Sequence, residues 1–478
     1  MLYYNLIAFI PIFATMTKVI VFITLSYFSI RRTLLLIGVC CFVSFSFAQT
    51  SVEKTANGYS FIRNGSPYYV KGVGGEVNLD KAVAIGANSI RTWGTENAQA
   101  VLDEAQKRGL TVMLGMWLQH ERHGFDYNDS AKVRKQFDFY KSIVLKYKDH
   151  PALLMWGIGN ELDLQYTNTN VWYAVQDLAK FIHENDPNHP TSTVTAGLDS
   201  SEVRLISEHA PDIDVYCVNT YGDIANVPAN IDKFGWHGPY MITEWGCNGY
   251  WESPTTAWKV SIEQTSTEKK QVFYDRYNNY IAASKYKCLG SYAFLWGSKQ
   301  EYTETWFGLF SKDNLPTEPV DALESLFTGK DPATAGPTIE SILLDGKAAK
   351  DNIHLKAGNK YSAQVLAAIS VNMKRSFSDS SHTLSFHWKI LKESSDKKSG
   401  GDKEEEATEV DGGFSNTNSS NVFFRIPETE GTYRLFVYVY LNGKVAYANI
   451  PFYADKRTEA DGQSRFIEFK RQSMDSFH

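Results

Sequence analysis

The chain is poor in cysteine, with five among 478 residues. Cys40 and Cys41 lie inside an apolar N-terminal run, which leaves Cys217, Cys247 and Cys288. An odd number excludes complete intramolecular pairing, a Cys217–Cys247 bridge stays open, and the spacing fits no zinc pattern. Basic stretches are just as sparse. The formal net charge is −6 and no long basic stripe occurs, so the electrostatic footprint of a nucleic-acid binder is missing. A composition of 43% hydrophobic and 21% charged residues excludes general disorder, and the length suits one large domain and one smaller one. A neutral polymer or small neutral ligand fits this balance.

The first 48 residues stand apart from the rest. Residues 1–30 are strongly apolar around Pro11 and Lys18, then Arg31-Arg32 precede a second apolar run, Leu34 to Phe47, which ends Ser46-Phe47-Ala48-Gln49. A basic stretch, an apolar core and small residues before a cut describe a secretory signal peptide cleaved after Ala48. If retained, the two runs would form an N-terminal membrane anchor. The expected location is secreted, periplasmic or on the cell surface.

From residue 68, short apolar or β-branched runs alternate with helical patterns. The strands read as Tyr68 to Val73, Ser89 to Trp93, Thr111 to Leu118, Leu153 to Gly159, Ser192 to Ala196, Val215 to Asn219, Tyr240 to Trp245 and Ser291 to Trp296. Helical periodicity runs between them, as over Ala98 to Arg108, Ala131 to Tyr147, Val171 to Glu184 and Glu268 to Lys285. Eight strands alternating with helices predict a (β/α)8 barrel over residues 49–330. Active sites in this fold gather at the C-terminal strand ends, which here carry Arg91, Trp117, His120, Asn160, Glu161, Asn219, Tyr221, Glu244 and Trp296.

Two of these residues point to a chemistry. Glu161 ends the run Met155 to Asn160, and Glu244 ends Tyr240 to Thr243. Two carboxyls delivered to one strand-end site suit glycosidic bond cleavage, in which one acid protonates the leaving oxygen and a second carboxylate attacks the anomeric carbon. That chemistry requires neither metal nor cofactor. Trp156, Trp245, Tyr250 and Trp251 flank the two sites, and Trp258 and Trp306 lie on further loops; flat aromatic faces suit sugar rings and are also ordinary packing material. His120, Glu121 and His123 are close in sequence but match no helical zinc spacing.

The run His150-Pro151-Ala152-Leu153-Leu154-Met155-Trp156-Gly157-Ile158-Gly159-Asn160-Glu161 resembles the fourth-strand signature of the clan A retaining glycoside hydrolases. Its wording is most similar to glycoside hydrolase family 2, with relatives in family 5 and among the glucanosyltransferases. Thr243-Glu244-Trp245-Gly246 resembles the seventh-strand motif. The resemblance implies Glu161 as general acid/base and Glu244 as nucleophile. It also implies Arg91, Tyr221 and Trp296 as the second-, sixth- and eighth-strand site residues, with Asn160 orienting a sugar hydroxyl. Trp117, His120, Asn219 and Trp245 complete the expected substrate-binding set. Family 2 members commonly carry a jelly-roll and a sandwich ahead of the barrel, whereas here the barrel follows the apolar run directly, as in family 5, so the family stays open. The expected reaction is retaining hydrolysis of a β-linked poly- or oligosaccharide, β-glucan foremost. Transglycosylation by the same glutamates and a non-catalytic carbohydrate-binding barrel are the alternatives.

Asp331 to Pro337 reads as a linker, after which helical periodicity ceases. Ile339 to Leu344, Tyr361 to Leu366, Leu384 to Ile390, Val422 to Ile426, Tyr433 to Leu441 and Lys444 to Tyr453 predict an immunoglobulin-like β-sandwich over 338–455, with Asn442-Gly443 as a type I′ hairpin turn. Ser394 to Gly413, polar and charged, reads as a mobile loop rather than a site, and residues 456–478 as a disordered tail.

Overall fold

The computed structural model describes residues 49–334, 336–369 and 383–456. The expected signal or anchor segment and all but the first residue of the expected tail lie outside them. The described chain opens with an antiparallel meander that the strand pattern did not predict: β1 (Thr50–Thr55), β2 (Gly58–Arg63) and β3 (Ser66–Tyr68). Tyr68 thus ends the meander instead of starting the barrel.

Eight parallel strands then close into a ring: β4 (Val70–Gly74), β5 (Ser89–Arg91), β6 (Thr111–Met116), β7 (Leu153–Ile158), β8 (Thr191–Ala196), β9 (Val215–Asn219), β10 (Tyr240–Trp245) and β11 (Cys288–Ala293). The last lies earlier than the expected Ser291 to Trp296. Helices α1 (Leu79–Ala84), α2 (Ala98–Lys107), α3 (Ser130–Tyr147), α4 (Val171–Asn185), α5 (Ser200–His209), α6 (Val227–Lys233), α7 (Ser266–Arg276) and α8 (Glu318–Thr328) follow the strands in turn. Asp129 caps α3, and Thr265 with Glu268 forms a capping box on α7.

Every residue of β6, β7, β10 and β11 is buried, as parallel strands covered on both faces require. Their side chains alternate. Val112, Leu114, Trp156, Ile158, Tyr240 and Ile242 pack outward with the helices, while Met113, Leu154, Met241 and Tyr292 fill the barrel interior. Phe61 of β2 joins that interior cluster, and Arg63 donates to the carbonyls of Pro151 and Leu153 at the start of β7. The meander therefore plugs the N-terminal end of the barrel and leaves the C-terminal end as the mouth.

The second domain stacks two sheets. One has the order β12 (Pro337–Leu344), β14 (Lys360–Ile369), β17 (Asn421–Arg425); the other runs β13 (His354–Lys356), β19 (Lys444–Asp455), β18 (Gly431–Leu441), β15 (Ser385–Lys392), β16 (Glu409–Val410). Trp388, Leu435, Val437 and Ile450 lie in the core between them. Asn442 and Gly443 both take positive φ, 52° and 73°, and turn β18 into β19. The expectation of a mobile loop over Ser394 to Gly413 is corrected: this segment contains β16 and is bonded to the barrel rim, because its charged side chains find barrel partners such as Arg122 and His123 on Asp402.

Barrel and sandwich meet through buried polar groups. Glu263 accepts from Lys269 at 2.6 Å, from Thr303 and Thr305, and from Asn449 of β19. Lys269 also donates to the carbonyls of Thr305 and Trp306 and to Tyr447. Arg434 bridges Glu393, Asn449 and the Ser261 carbonyl. The Glu263 carboxyl is shifted downward, with burial opposing the shift and the Lys269 charge chief among the groups producing it. Removing Lys269 alone strands a buried carboxylate, so Lys269→Met should cost about 3–5 kcal/mol in denaturant unfolding. Adding Glu263→Leu should return part of that loss; a double variant no more stable than the single one would contradict the pairing.

Candidate active site

The two glutamates reach the mouth by different routes. Glu244 lies within β10, so its side chain and that of Trp245 must point to opposite faces of the strand. Glu161 lies just past β7, where the chain turns after Gly159 (φ 77°) and Glu161 itself adopts φ 50°. Its N–H donates to the Val194 carbonyl at 2.8 Å, which pins this left-handed turn to the next strand.

Arg91, buried at the end of β5, gathers the site. Its Nη1 donates to Glu244 Oε1 at 3.0 Å, to the Thr243 carbonyl at 2.8 Å and to Asn219 Oδ1 at 3.3 Å; its Nη2 donates to Asn160 Oδ1 at 2.5 Å. Glu244 receives two further donors, Trp93 Nε1 on Oε1 at 2.8 Å and Tyr221 Oη on Oε2 at 3.2 Å. Asn219 Nδ2 donates to Glu161 Oε1 at 2.9 Å and to Asn160 Oδ1 at 3.2 Å. One network of direct hydrogen bonds thus links the carboxyls of Glu161 and Glu244 through Asn219 and Arg91. Burial, and next the charge of Glu244, push the Glu161 carboxyl well above the ordinary glutamate range.

These groups line a cavity of about 690 Å³, with Trp93, Trp117, Leu164, Tyr221, Tyr250, Trp251 and Phe294 on its walls. Of the residues expected at the site, Glu161, Glu244, Asn160, Asn219, Tyr221 and Trp117 line this cavity, and Arg91 lies behind Glu244. His120 does not line it. Its buried Nε2 lies 2.7 Å from the Asn160 carbonyl, which can only accept, so Nε2 carries the proton and the ring braces the Asn160 backbone. Burial lowers the His120 pKa to about 4, which keeps the ring neutral.

Trp245 and Trp296 are corrections. Trp245 is 0% exposed and packs against Phe273 and Tyr277 of the outer core, the consequence of following an inward-facing glutamate on a strand. Trp296, expected from the eighth strand, lies beyond β11 and packs edge-on against Phe310; Phe294 and Leu295 stand on the cavity wall instead. Among the other loop tryptophans, Trp251 is 57% exposed on the rim, Trp306 is buried, and Trp258 packs against His354 of the sandwich.

Residues that the strand-end pattern missed are Trp93, which lies two positions beyond Arg91, and Asp223, Glu252, Lys299, Glu301 and Ser399–Gly401, all on loops. Only Trp93 carried a signal, as the last residue of an expected strand. His120, Glu121 and His123 are committed to separate partners, Asn160, Thr167 and Asp402 respectively. Cys217, Cys247 and Cys288 are free and buried.

The raised Glu161 carboxyl links stability to pH. The folded protein retains a proton that the unfolded chain has lost, so stability falls as pH climbs from the ordinary glutamate value of about 4.3 through the raised one. Glu161→Gln removes this dependence. Calorimetry should find the variant more stable than the parent at about pH 8 and equal to it at about pH 4; an equal difference at both would contradict the shift.

A family model described as "Glycosyl hydrolases family 2, TIM barrel domain" matches residues 81–293. Mannan endo-1,4-beta-mannosidase F of Aspergillus fumigatus is 25% identical over 182 residues, 32% of this chain and 42% of that protein. Beta-glucuronidase of Homo sapiens is 22% identical over 182 residues, 34% of this chain and 26% of that protein. Among solved structures, beta-glucuronidase 2 of Bacteroides uniformis aligns with a TM-score of 0.48 at 13% identity, over 85% of this chain and 48% of that one. This chain spans less than half the length of each of these proteins. Residues 81–293 thus match a glycoside hydrolase family 2 barrel domain, consistent with the clan A glycoside hydrolases.

Proposed function

We propose that this protein is a retaining β-glycoside hydrolase that cleaves a neutral β-linked oligo- or polysaccharide by double displacement. The single network joining Glu161 to Glu244 through Asn219 and Arg91 carries this reading. Glu244, supplied with donors by Arg91, Trp93 and Tyr221, attacks the anomeric carbon while Glu161 passes its proton to the departing oxygen. Glu161, now a base, takes a proton from water, whose oxygen attacks the anomeric carbon and releases Glu244, so the configuration is retained. Asn160 Oδ1 is occupied by Arg91 and Asn219, which leaves its amide N–H groups to serve a sugar hydroxyl.

The charge of the cavity supports a neutral sugar. Glu161, Asp223, Glu244, Glu252 and Glu301 line it, and Lys299, the single basic side chain among the described lining residues, is paired with Glu301 at 3.0 Å. A uronate carboxylate would meet like charge there. Tyr250, Trp251 and Phe294 supply flat apolar faces for sugar rings. β-Glucan stands first among substrates, on the resemblance to family 5 and the glucanosyltransferases. Export directed by residues 1–48 belongs to the same reading, since a polysaccharide is met outside the cell.

Glu161→Gln and Glu244→Gln should each lower turnover by on the order of 10⁴ or more while the fold persists. A 2-deoxy-2-fluoro glycoside should label Glu244 covalently, as read by peptide mass spectrometry; labelling elsewhere, or full activity in either variant, would remove the assignment. On 4-nitrophenyl glycosides, kcat/KM should favour β-glucoside over β-glucuronide by at least about tenfold, with β-mannoside and β-galactoside as further arms. A preference for the glucuronide would overturn the neutral-sugar reading.

A further inference from the structure

One part of the cavity wall comes from the sandwich. Ser399, Gly400 and Gly401, in the connection that follows β15, stand on it beside Trp117, Glu161 and Leu164. Gly400 and Gly401 take φ of 66° and 69°. A Cβ on Gly400 would lie 2.6 Å from Leu164 Cδ2 and 2.8 Å from Arg122 Nη2, so the backbone presses on the barrel rim where glycine is needed.

Four barrel loops hold this tip. Arg122, after β6, donates to the Ser399 carbonyl at 3.3 Å and to Asp402 at 2.6 Å. Gln165, after β7, donates to Ser399 Oγ at 3.4 Å; Tyr250, after β10, to the Lys398 carbonyl at 2.9 Å; and Lys299, after β11, to the Gly401 carbonyl at 2.5 Å. In the ring β11, β4, β5 and β6 are consecutive. As β10 is adjacent to β11 and β6 to β7, a segment tied to the loops of all four spans the mouth between these two pairs, while the cavity continues to Gly197 and Asp223 on the loops after β8 and β9. Clamped in this way, the tip meets a ligand without a further ordering cost.

We infer that Ser399–Gly401 is a specificity-determining wall: the sandwich closes one end of the sugar cleft and limits how many units of a β-linked chain fit on that side. The inference rests on the glycosidase reading above. It makes the second domain part of the substrate site instead of a detached carbohydrate-binding module.

The test compares the full-length protein with two variants on cello-oligosaccharides and manno-oligosaccharides of two to six units and on the matching 4-nitrophenyl monosaccharide. Excising Lys398–Asp402 opens the wall. The kcat/KM ratio of hexamer to dimer should rise about tenfold, with fluoroglycoside labelling of Glu244 retained as proof of an intact site. Ser399→Trp narrows the same end and should lower kcat/KM for the oligosaccharides about tenfold relative to the aryl monosaccharide. An unchanged length profile in labelled, folded variants overturns the wall. A parent protein that turns over none of these glycosides and takes no label overturns the glycosidase reading itself, a separate outcome.

Discussion

Arg91 is the group on which the site depends. A guanidinium buried at the end of β5 has lost its water, and the structure must return enough acceptors to offset that loss. It does so with the Glu244 carboxylate, the Thr243 carbonyl and the side-chain oxygens of Asn219 and Asn160. These acceptors come from β9, from β10 and from the turn after β7. A single cation therefore fixes the relative positions of three segments remote in sequence, and closure of the barrel supplies the rigid frame that lets it do so.

The polar contact between the domains has a parallel logic. Glu263, Lys269 and Arg434 are buried charges, each with partners on both sides of the interface or next to it. Such pairs add little net stability over an apolar contact, but they penalise misalignment heavily because a shift would leave a charge unpaired. Register is what the cleft needs from this interface. The tip that reaches the cleft leaves β15, which pairs along its length with β18, and β18 carries Arg434. The fixed interface and the clamped tip thus belong to one continuous piece of sandwich.

The barrel and both glutamates were legible because each is written in local pattern: strand runs alternating with helical periods, and acids at strand ends. The meander escaped because its strands are short and half-exposed, with only Phe61 fully buried in β2. Trp245 was misplaced because a motif names neighbours without saying which face each takes, and strand alternation sends Trp245 outward once Glu244 faces in. Ser394–Gly413 was misjudged for a different reason. Its polarity reads as solvation, yet Asp402 and Glu404 spend their charge and acceptors on Arg122, His123 and the Tyr302 N–H of the barrel. Partners 102 to 280 residues away leave no trace in local composition.

The asymmetry between the two carboxyls supports the role that the proposed mechanism gives to each. Glu244 receives a guanidinium, an indole N–H and a phenol, three donors directed at its two oxygens. Glu161 receives a single neutral amide donor from Asn219 and faces the field of Glu244 from a half-buried position, conditions that favour the protonated form. Exchanging the roles would require the acid to hold its proton against an arginine and the nucleophile to ionise beside a carboxylate. In the proposed mechanism, the division of labour between the two glutamates follows from which of them Arg91 touches.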